Sequence, residues 1–255
     1  MSPASSVPPI NLQQTQLTVA ADECQFAFRA TLPAVLKWLQ EAAGRHAEAL
    51  GVGIQALQQQ GVTWMLGRLA IRLYRLPTLG ETLTLRTWPN GIRGRLIAER
   101  QFLLLDAMGE PLLEASSEWL CVNTAVGKLA PLPAAVKTLA APDTQTFNLC
   151  AAKLPTPSAD LTPCATVQLT ARKAEMDANR HINNVHLAEW LREPLPDAFF
   201  FEHVPTAFDI EFKRSAQAGE TVTAQVWQTE DGAFLHQLTA ADGTLIARAQ
   251  TLYPQ

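Results

Sequence analysis

Gly80-Glu81-Thr82-Leu83-Thr84-Leu85-Arg86-Thr87-Trp88 returns later in the chain as Gly219-Glu220-Thr221-Val222-Thr223-Ala224-Gln225-Val226-Trp227. Both copies alternate an apolar residue with a polar one, the period of two that sends one strand face to a core and the other outward. At the same offset Ile71-Arg72-Leu73 meets Ile210-Glu211-Phe212, and Arg75 meets Arg214. Asp106-Ala107-Met108-Gly109 resembles Ala240-Ala241-Asp242-Gly243, and each precedes a last strand. Two copies of this length denote a duplicated unit; a solenoid needs three or more shorter ones.

Outward from the first copy, Leu17-Thr18-Val19 and Phe26-Ala27-Phe28 read as strand segments. Thr31 then caps a helix with Pro33 in its first turn, where a missing donor costs little. Leu32, Val35, Leu36, Leu39, Ala42, Ala43 and Leu50 keep helical spacing until Gly51 or Gly53. From Trp64 the period is two again. Leu69, Ile71 and Leu73 alternate with Arg68, Ala70, Arg72 and Tyr74, a strand with one basic face. Strands are expected over 81–88, 95–105 and 112–122, with turns at Pro89-Asn90-Gly91 and Asp106-Ala107-Met108-Gly109. Each unit is thus a long helix wrapped by a curved antiparallel sheet, an α+β arrangement. Residues 1–14 read as a loose start, 15–130 as the first unit, 131–163 as a Pro-rich linker and 164–255 as the second unit.

The 255 residues, 47% hydrophobic and 17% charged, suit a globular protein with an ample core. A net charge of −4 argues against a general nucleic-acid binder. Cys24, Cys121, Cys150 and Cys164 form no CxxC and no zinc spacing, and no metal or other cofactor is expected. Trp88 and Trp227 recur at equivalent points, which assigns them to packing, and His46, His203 and His236 read as surface or partly buried residues. The Ser-, Pro- and Gln-rich start lacks a basic n-region and an apolar h-region, and no run approaches the ~18 apolar residues of a membrane span. The expectation is a cytoplasmic protein.

The chemistry-bearing stretch is Asp177-Ala178-Asn179-Arg180-His181-Ile182-Asn183-Asn184, running into the amphipathic Val185-His186-Leu187-Ala188-Glu189-Trp190-Leu191. In extended backbone Asp177, Asn179 and His181 would share a side. Asn183 or Asn184 would cap the following helix. A helix start beside a carboxylate and an imidazole suits attack on a carbonyl, with free amides for the oxyanion and side chains for protons. Without other context, the same residues make a polar turn with an Asn cap.

In this order and at these distances the chain resembles the hot-dog superfamily, and within it the acyl-acyl-carrier-protein thioesterases of plants and bacteria. The likeness covers most of residues 15–253. In the first half it rests on Trp64-Met65-Leu66-Gly67-Arg68-Leu69-Ala70-Ile71-Arg72-Leu73, Pro77-Thr78-Leu79-Gly80-Glu81-Thr82, Ala115-Ser116-Ser117-Glu118-Trp119 and Leu129-Ala130-Pro131-Leu132-Pro133. In the second half it rests on the D-x-N-x-H-x-N-N signature at 177–184. The resemblance implies a tandem (double) hot-dog fold and hydrolysis of fatty acyl thioesters on carrier-protein phosphopantetheine. It puts Asp177, Asn179 and His181 in the active site, with the amides after Asn183 and Asn184 as the oxyanion site. The family's E-Y-R-R-E-C pattern meets Glu211-Phe212-Lys213-Arg214-Ser215-Ala216, so Ser215 stands at a carboxylate position. It also implies an acyl pocket in the first half, with Leu36, Leu39, Trp64 and Leu66 as candidate lining.

Thioester hydrolysis needs a nucleophile and a place for charge on oxygen. His181 is suited to taking a proton from water, since imidazoles titrate near neutrality. Asp177 is suited to orienting His181, activating water or attacking the carbonyl itself; the sequence leaves these open. Residues 68–100 hold seven arginines against two glutamates, and Arg68, Arg72, Arg93 and Arg95 are expected to draw an acidic acyl carrier protein. A homodimer is a further expected assembly. The rival readings are an acyl-CoA thioesterase, a hydratase (whose D-x-N-P-x-H pattern is broken by Arg180) and an acyl-binding protein that has lost catalysis.

Overall fold

The computed structural model describes residues 11–139, 141, 146–158, 160–177 and 180–254. The first half runs β1 (Gln13–Thr18), a 3₁₀ turn (Ala21–Glu23), β2 (Cys24–Gln25), β3 (Arg29–Ala30), α1 (Leu32–Ala49) and α2 (Ile54–Gln58). It continues with β4 (Val62–Leu73), β5 (Thr82–Arg93), β6 (Ile97–Leu105), β7 (Pro111–Asn123) and β8 (Leu129–Ala130). The short helix α3 (Ala134–Lys137) stands in the connection. The second half runs β9 (Ala165–Thr170), a 3₁₀ turn (Lys173–Glu175), α4 (Asn184–Arg192), a π-helical turn (Ala198–Glu202), β10 (Ala207–Phe212), β11 (Thr221–Gln228), β12 (Phe234–Ala240) and β13 (Leu245–Leu252).

Among the described residues one antiparallel sheet runs β1-β5-β6-β7-β4-β10-β13-β12-β11-β9. The order is the same read inward from either end, with β1, β5, β6, β7 and β4 answered by β9, β11, β12, β13 and β10. The halves join edge to edge where Arg68 to Arg72 pair with Glu211 to Ala207. This is the tandem hot-dog fold. Thr31 caps α1 by accepting from the Ala34 amide, and Gly51, at φ 70°, ends it in the left-handed conformation that a side chain disfavours. The α1 face carrying Leu32, Val35, Leu36 and Leu39 is sealed against Ile71, Phe102, Leu104 and Leu113. Each such side chain contributes roughly 1.5–3 kcal/mol through burial.

The repeat seen in the sequence is also a repeat of interactions. Arg75 is paired with Glu81 and Arg214 with Glu220, while Thr78 and Gln217 donate their amides to the same glutamates. Trp88 and Trp227 are buried, and both touch the connection: Trp88 through the Phe147 ring and Trp227 by donating to the Leu161 carbonyl at 2.9 Å.

Several expectations need correction. Gln13 and Gln14 are not loose; they pair with Thr87 and Arg86, their alternating polarity suiting an edge strand. Pro89-Asn90-Gly91 is not a turn. β5 runs through it, with a register shift between Pro89 and Ile92 where a missing N–H is tolerated, and the reversal comes at Gly94, φ 63°. The face with Arg68 and Ala70 is not exposed, because the connection lies over it: Leu149 donates its amide to Ser116 Oγ and Arg68 Nη1 donates to the Cys150 carbonyl. His46 and His236 are buried rather than superficial. α4 has half the length of α1 because Pro194, without an N–H, follows its last residue closely.

Candidate active site

Asp177 and His181 close a loop on each other, in place of the extended run assumed from the alternation. Asp177 donates its amide to the His181 carbonyl at 2.7 Å, and the His181 amide donates to Asp177 Oδ1 at 3.2 Å. Arg180, at φ 60°, turns the chain between them. Met176 and Ile182 bridge beneath the loop. Asp177 and His181 are therefore brought together by loop closure. Asn179 lies outside the described residues.

Two bonds anchor the loop. The buried Ile182 donates its amide to Ala216 at 3.0 Å, which draws in the segment that carries Ser215. The Asn183 amide donates to the Glu175 carbonyl, and its Oδ1 accepts from the Val185 amide at 3.0 Å. Asn183 is thus the N-cap and Asn184 the first residue of α4. Ser215 is half-buried, and its hydroxyl has no hydrogen-bond partner among the described residues.

The first half holds the same loop with other side chains. Cys24 pairs with Ala30 as Met176 does with Ile182, and Thr31 donates to Glu23 as Asn183 does to Glu175. Ala27 and Phe28 are left-handed there, at φ 59° and 54°, so Phe26-Ala27-Phe28 is a turn and not a strand. Gln25 and Arg29 occupy the places of Asp177 and His181. The duplicated frame therefore carries one carboxylate–imidazole pair.

Asp177, His181, Asn184 and Ser215 all line a cavity of about 980 Å³. Its roof is the second half of α1, where Ala43, Gly44 and Ala47 leave space. Its floor is Trp64, Leu66, Ala98 and Trp119, and Val52 and Val136 close one side. Of the four candidate lining residues, Trp64 and Leu66 border this cavity. Leu36 and Leu39 do not: they are sealed in the core one to two turns earlier, on the part of α1 that touches the sheet directly. A smaller cavity of about 480 Å³ lies beside the first-half loop, lined by Gln25, Thr31 and Arg192 among others. There α4 stops at Arg192, whereas α1 is twice as long.

The expected basic patch is largely neutralised by carboxylates distant in sequence. Arg68 is buried and forked onto Asp209, Nε to Oδ1 at 2.9 Å and Nη2 to Oδ2 at 2.6 Å, so it is unavailable for docking. Arg72 is paired with Glu114 at 3.0 Å, and Arg93 with Glu99 and Glu118. Arg95 is exposed, with no ion pair among the described residues. Burial pushes the Asp209 carboxyl up, against the pull of Arg68. Burial raises Glu211 as well, but hydrogen bonds from Lys213 and Arg248, each at 2.6 Å, outweigh it and hold Glu211 below the usual carboxylate range. Burial pushes the Cys121 and Cys150 thiols up to about 11 and about 12, which keeps them protonated and poor nucleophiles.

One residue counted in the basic patch is instead a buried lining residue. Arg100 is 7% exposed and stands on β6 in the inward row Ala98, Arg100, Phe102, Leu104. A single arginine in an otherwise apolar alternation was the signal for it.

The acyl-ACP thioesterase N-terminal domain family matches residues 11–138, and the acyl-ACP thioesterase C-terminal domain family matches 159–255. Oleoyl-acyl carrier protein thioesterase 1, chloroplastic, of Arabidopsis thaliana is 25% identical over 88% of this chain and 71% of its own length. Dodecanoyl-[acyl-carrier-protein] hydrolase, chloroplastic, of Cinnamomum camphora is 27% identical over 87% of this chain and 62% of its own. This chain therefore spans roughly two thirds of such relatives. Among solved structures, the 12:0-ACP thioesterase from Umbellularia californica superposes with a TM-score of 0.85 at 23% identity, covering 96% of this chain and 97% of that one. An acyl-ACP thioesterase from Bacteroides thetaiotaomicron gives 0.81 at 22%, with coverage of 96% and 98%. These two establish the shared fold.

Proposed function

The chain belongs to the acyl-ACP thioesterase family, both of whose domains it carries in order, and we propose that it hydrolyses fatty acyl-carrier-protein thioesters to free fatty acid and carrier thiol. The observation that carries this reading is the single cavity that holds Asp177, His181 and Asn184 at one end and apolar walls along its length. Residues 164–255 supply the chemistry, 15–130 the acyl pocket, and 131–163 the connection.

The acyl chain lies under α1 and its carbonyl stands at the start of α4. There the Asn184 amide, which has no acceptor among the described residues, faces developing negative charge, which it stabilises most in the transition state. His181 and Asp177 handle the proton of the attacking water; in the alternative route Asp177 attacks the acyl carbonyl, the thiolate leaves, and water opens the mixed anhydride at Asp177 Cγ. Single-turnover hydrolysis in ¹⁸O-water separates the two, since only the second labels the Asp177 carboxylate. Asn179 enters on its place in the motif alone and would position the water or polarise the carbonyl. Ser215 sits beside them where the family pattern has a carboxylate, which leaves Asp177 as the acid closest to the loop.

The partner is an acyl carrier protein. Arg95 is the survivor of the expected docking set; Arg180, exposed and carried by the loop that holds the site, adds positive charge. Both units lie in one chain, so a homodimer is not needed to complete the site. No helix among the described residues is long and apolar enough to cross a membrane, and our reading of its place is the cytoplasm.

The test offers purified protein acyl-carrier proteins and acyl-CoAs of several lengths and measures free thiol. Carrier substrates should turn over, and Asp177→Ala and His181→Ala should each lose about 100-fold or more without loss of folding. Wild-type rates in either variant, or no turnover of any thioester, would refute the proposal.

A further inference from the structure

Arg100 is out of place in its surroundings. It occupies an inward position of β6 beneath α1, between Ala98 and Phe102, and is nine-tenths buried. Nη1 donates to His46 Nδ1 at 3.0 Å and to Thr87 Oγ1 at 3.1 Å. His46 must then accept on Nδ1, which makes it a neutral partner that offers no countercharge. Neither Nε nor Nη2 has an acceptor among the described residues, and Arg100 lines the cavity. Among the described residues no carboxylate is paired with it: Glu41 and Glu48 are exposed on the cavity rim, and Glu99 is turned to Arg93. Burial lowers the guanidinium to about 10, so it stays charged at neutral pH.

Two further polar atoms of cavity-lining residues lack partners among the described residues. Gln40 Nε2 and Thr63 Oγ1 are buried and unbonded among the described residues, and both residues line the cavity. Buried donors without acceptors are costly, and a buried charge without a partner more so. A cavity shaped only for hydrocarbon would not hold them.

The position of Arg100 relative to the thioester follows from the sheet. The catalytic loop is tied to the segment after β10, and the cavity crosses β4 and β7 to reach β6. Three interstrand steps separate β10 from β6, about 14 Å at ordinary spacing. An extended dodecanoyl chain is of that order.

Resting on the thioesterase reading above, we propose that Arg100 is a specificity residue that receives an oxygen function at the distal end of the acyl chain, so that the enzyme favours medium-length acyl groups ending in a carboxylate or hydroxyl over plain alkyl chains. A carboxylate would pair with the free Nε–Nη2 edge, which presents a fork of parallel donors. A hydroxyl oxygen would accept one of the same bonds.

Binding decides this separately from catalysis. Displacement of a fluorescent fatty acid is measured with dodecanoic acid, ω-hydroxydodecanoic acid and dodecanedioic acid on the wild type, Arg100→Met and Arg100→Lys. The wild type should bind the oxygenated acids about tenfold or more tightly than dodecanoic acid. Arg100→Met should abolish that preference while holding dodecanoic acid at least as well, and Arg100→Lys should keep part of it. The same order should appear in kcat/KM for the matching carrier-protein thioesters.

Equal wild-type binding of all three acids would mean that water alone satisfies Arg100 and would overturn the proposal. So would an Arg100→Met variant that only gains affinity for longer alkyl chains, which would make Arg100 a length stop. If Arg100→Met fails to fold, the three acids on wild type and Arg100→Lys still decide. Preference in binding with no hydrolysis of any thioester would instead strike the catalytic reading and leave this one standing.

Discussion

Replacing Arg68 by methionine leaves Asp209 charged at the seam between the halves, and the cost follows from the geometry. The pair spans β4 and β10, the strands through which the two units join. It is held by a two-pronged fork, and the side chains are 10% and 21% exposed. Removing one member of a buried pair costs about 3–5 kcal/mol, because the remaining charge loses its partner without regaining water. Asp209 keeps some solvent contact, which places Arg68→Met near the lower end, about 3 kcal/mol. For a chain of this size each kcal/mol shifts the melting midpoint by roughly 2–4 °C, so Tm should fall by about 6–12 °C. Exchanging both partners for apolar residues, Arg68→Met with Asp209→Leu, removes the stranded charge and should return to within about 1–2 kcal/mol of wild type. Urea unfolding of the four proteins in a double-mutant cycle measures the coupling directly. A loss under about 1 kcal/mol in Arg68→Met, or a double variant that loses the sum of the two singles, would refute the reasoning.

Other expectations concern acidity, the serine and salt. His236 is fully buried, donating from one ring nitrogen to the Leu191 carbonyl, and burial pushes its pKa down to about 3. Unfolded, it would titrate near 6.5, so the unfolded chain takes up the extra proton as pH falls. The His236 contribution is therefore intact above about pH 6.5 and is lost progressively toward pH 3. His236→Gln should flatten the fall in urea midpoint between neutral and acid pH, and an unchanged slope would count against it. Ser215→Ala should keep turnover within about tenfold, since no described base is bonded to the hydroxyl; a far larger loss would make Ser215 a participant. Raising salt should lower kcat/KM for carrier-protein substrates much more than for a short neutral thioester, and equal sensitivity would remove the electrostatic docking argument.

The duplication, the helix of the first unit with its Thr31 cap, the strand alternation and the Asn183 cap were legible in the sequence because each is a local property. Period two or 3.6, a capping side chain and a glycine after a helix act over a few residues. The motif at 177–184 was legible as chemistry, although its alternation suggested the wrong backbone: closure through Arg180, not extension, brings Asp177 to His181. Which face of β4 is covered was not legible, because cover depends on where the connection travels. Arg68 looked like a surface cation because its partner Asp209 lies 141 residues away. Leu36 and Leu39 looked as good a pocket as any, since apolar spacing does not distinguish a filled helix face from an empty one. Only the tertiary structure could decide that the cavity opens beneath Ala43 and Ala47, and that Arg100 stands inside it. A cavity is the volume that packing leaves over, and that volume depends on every element around it at once.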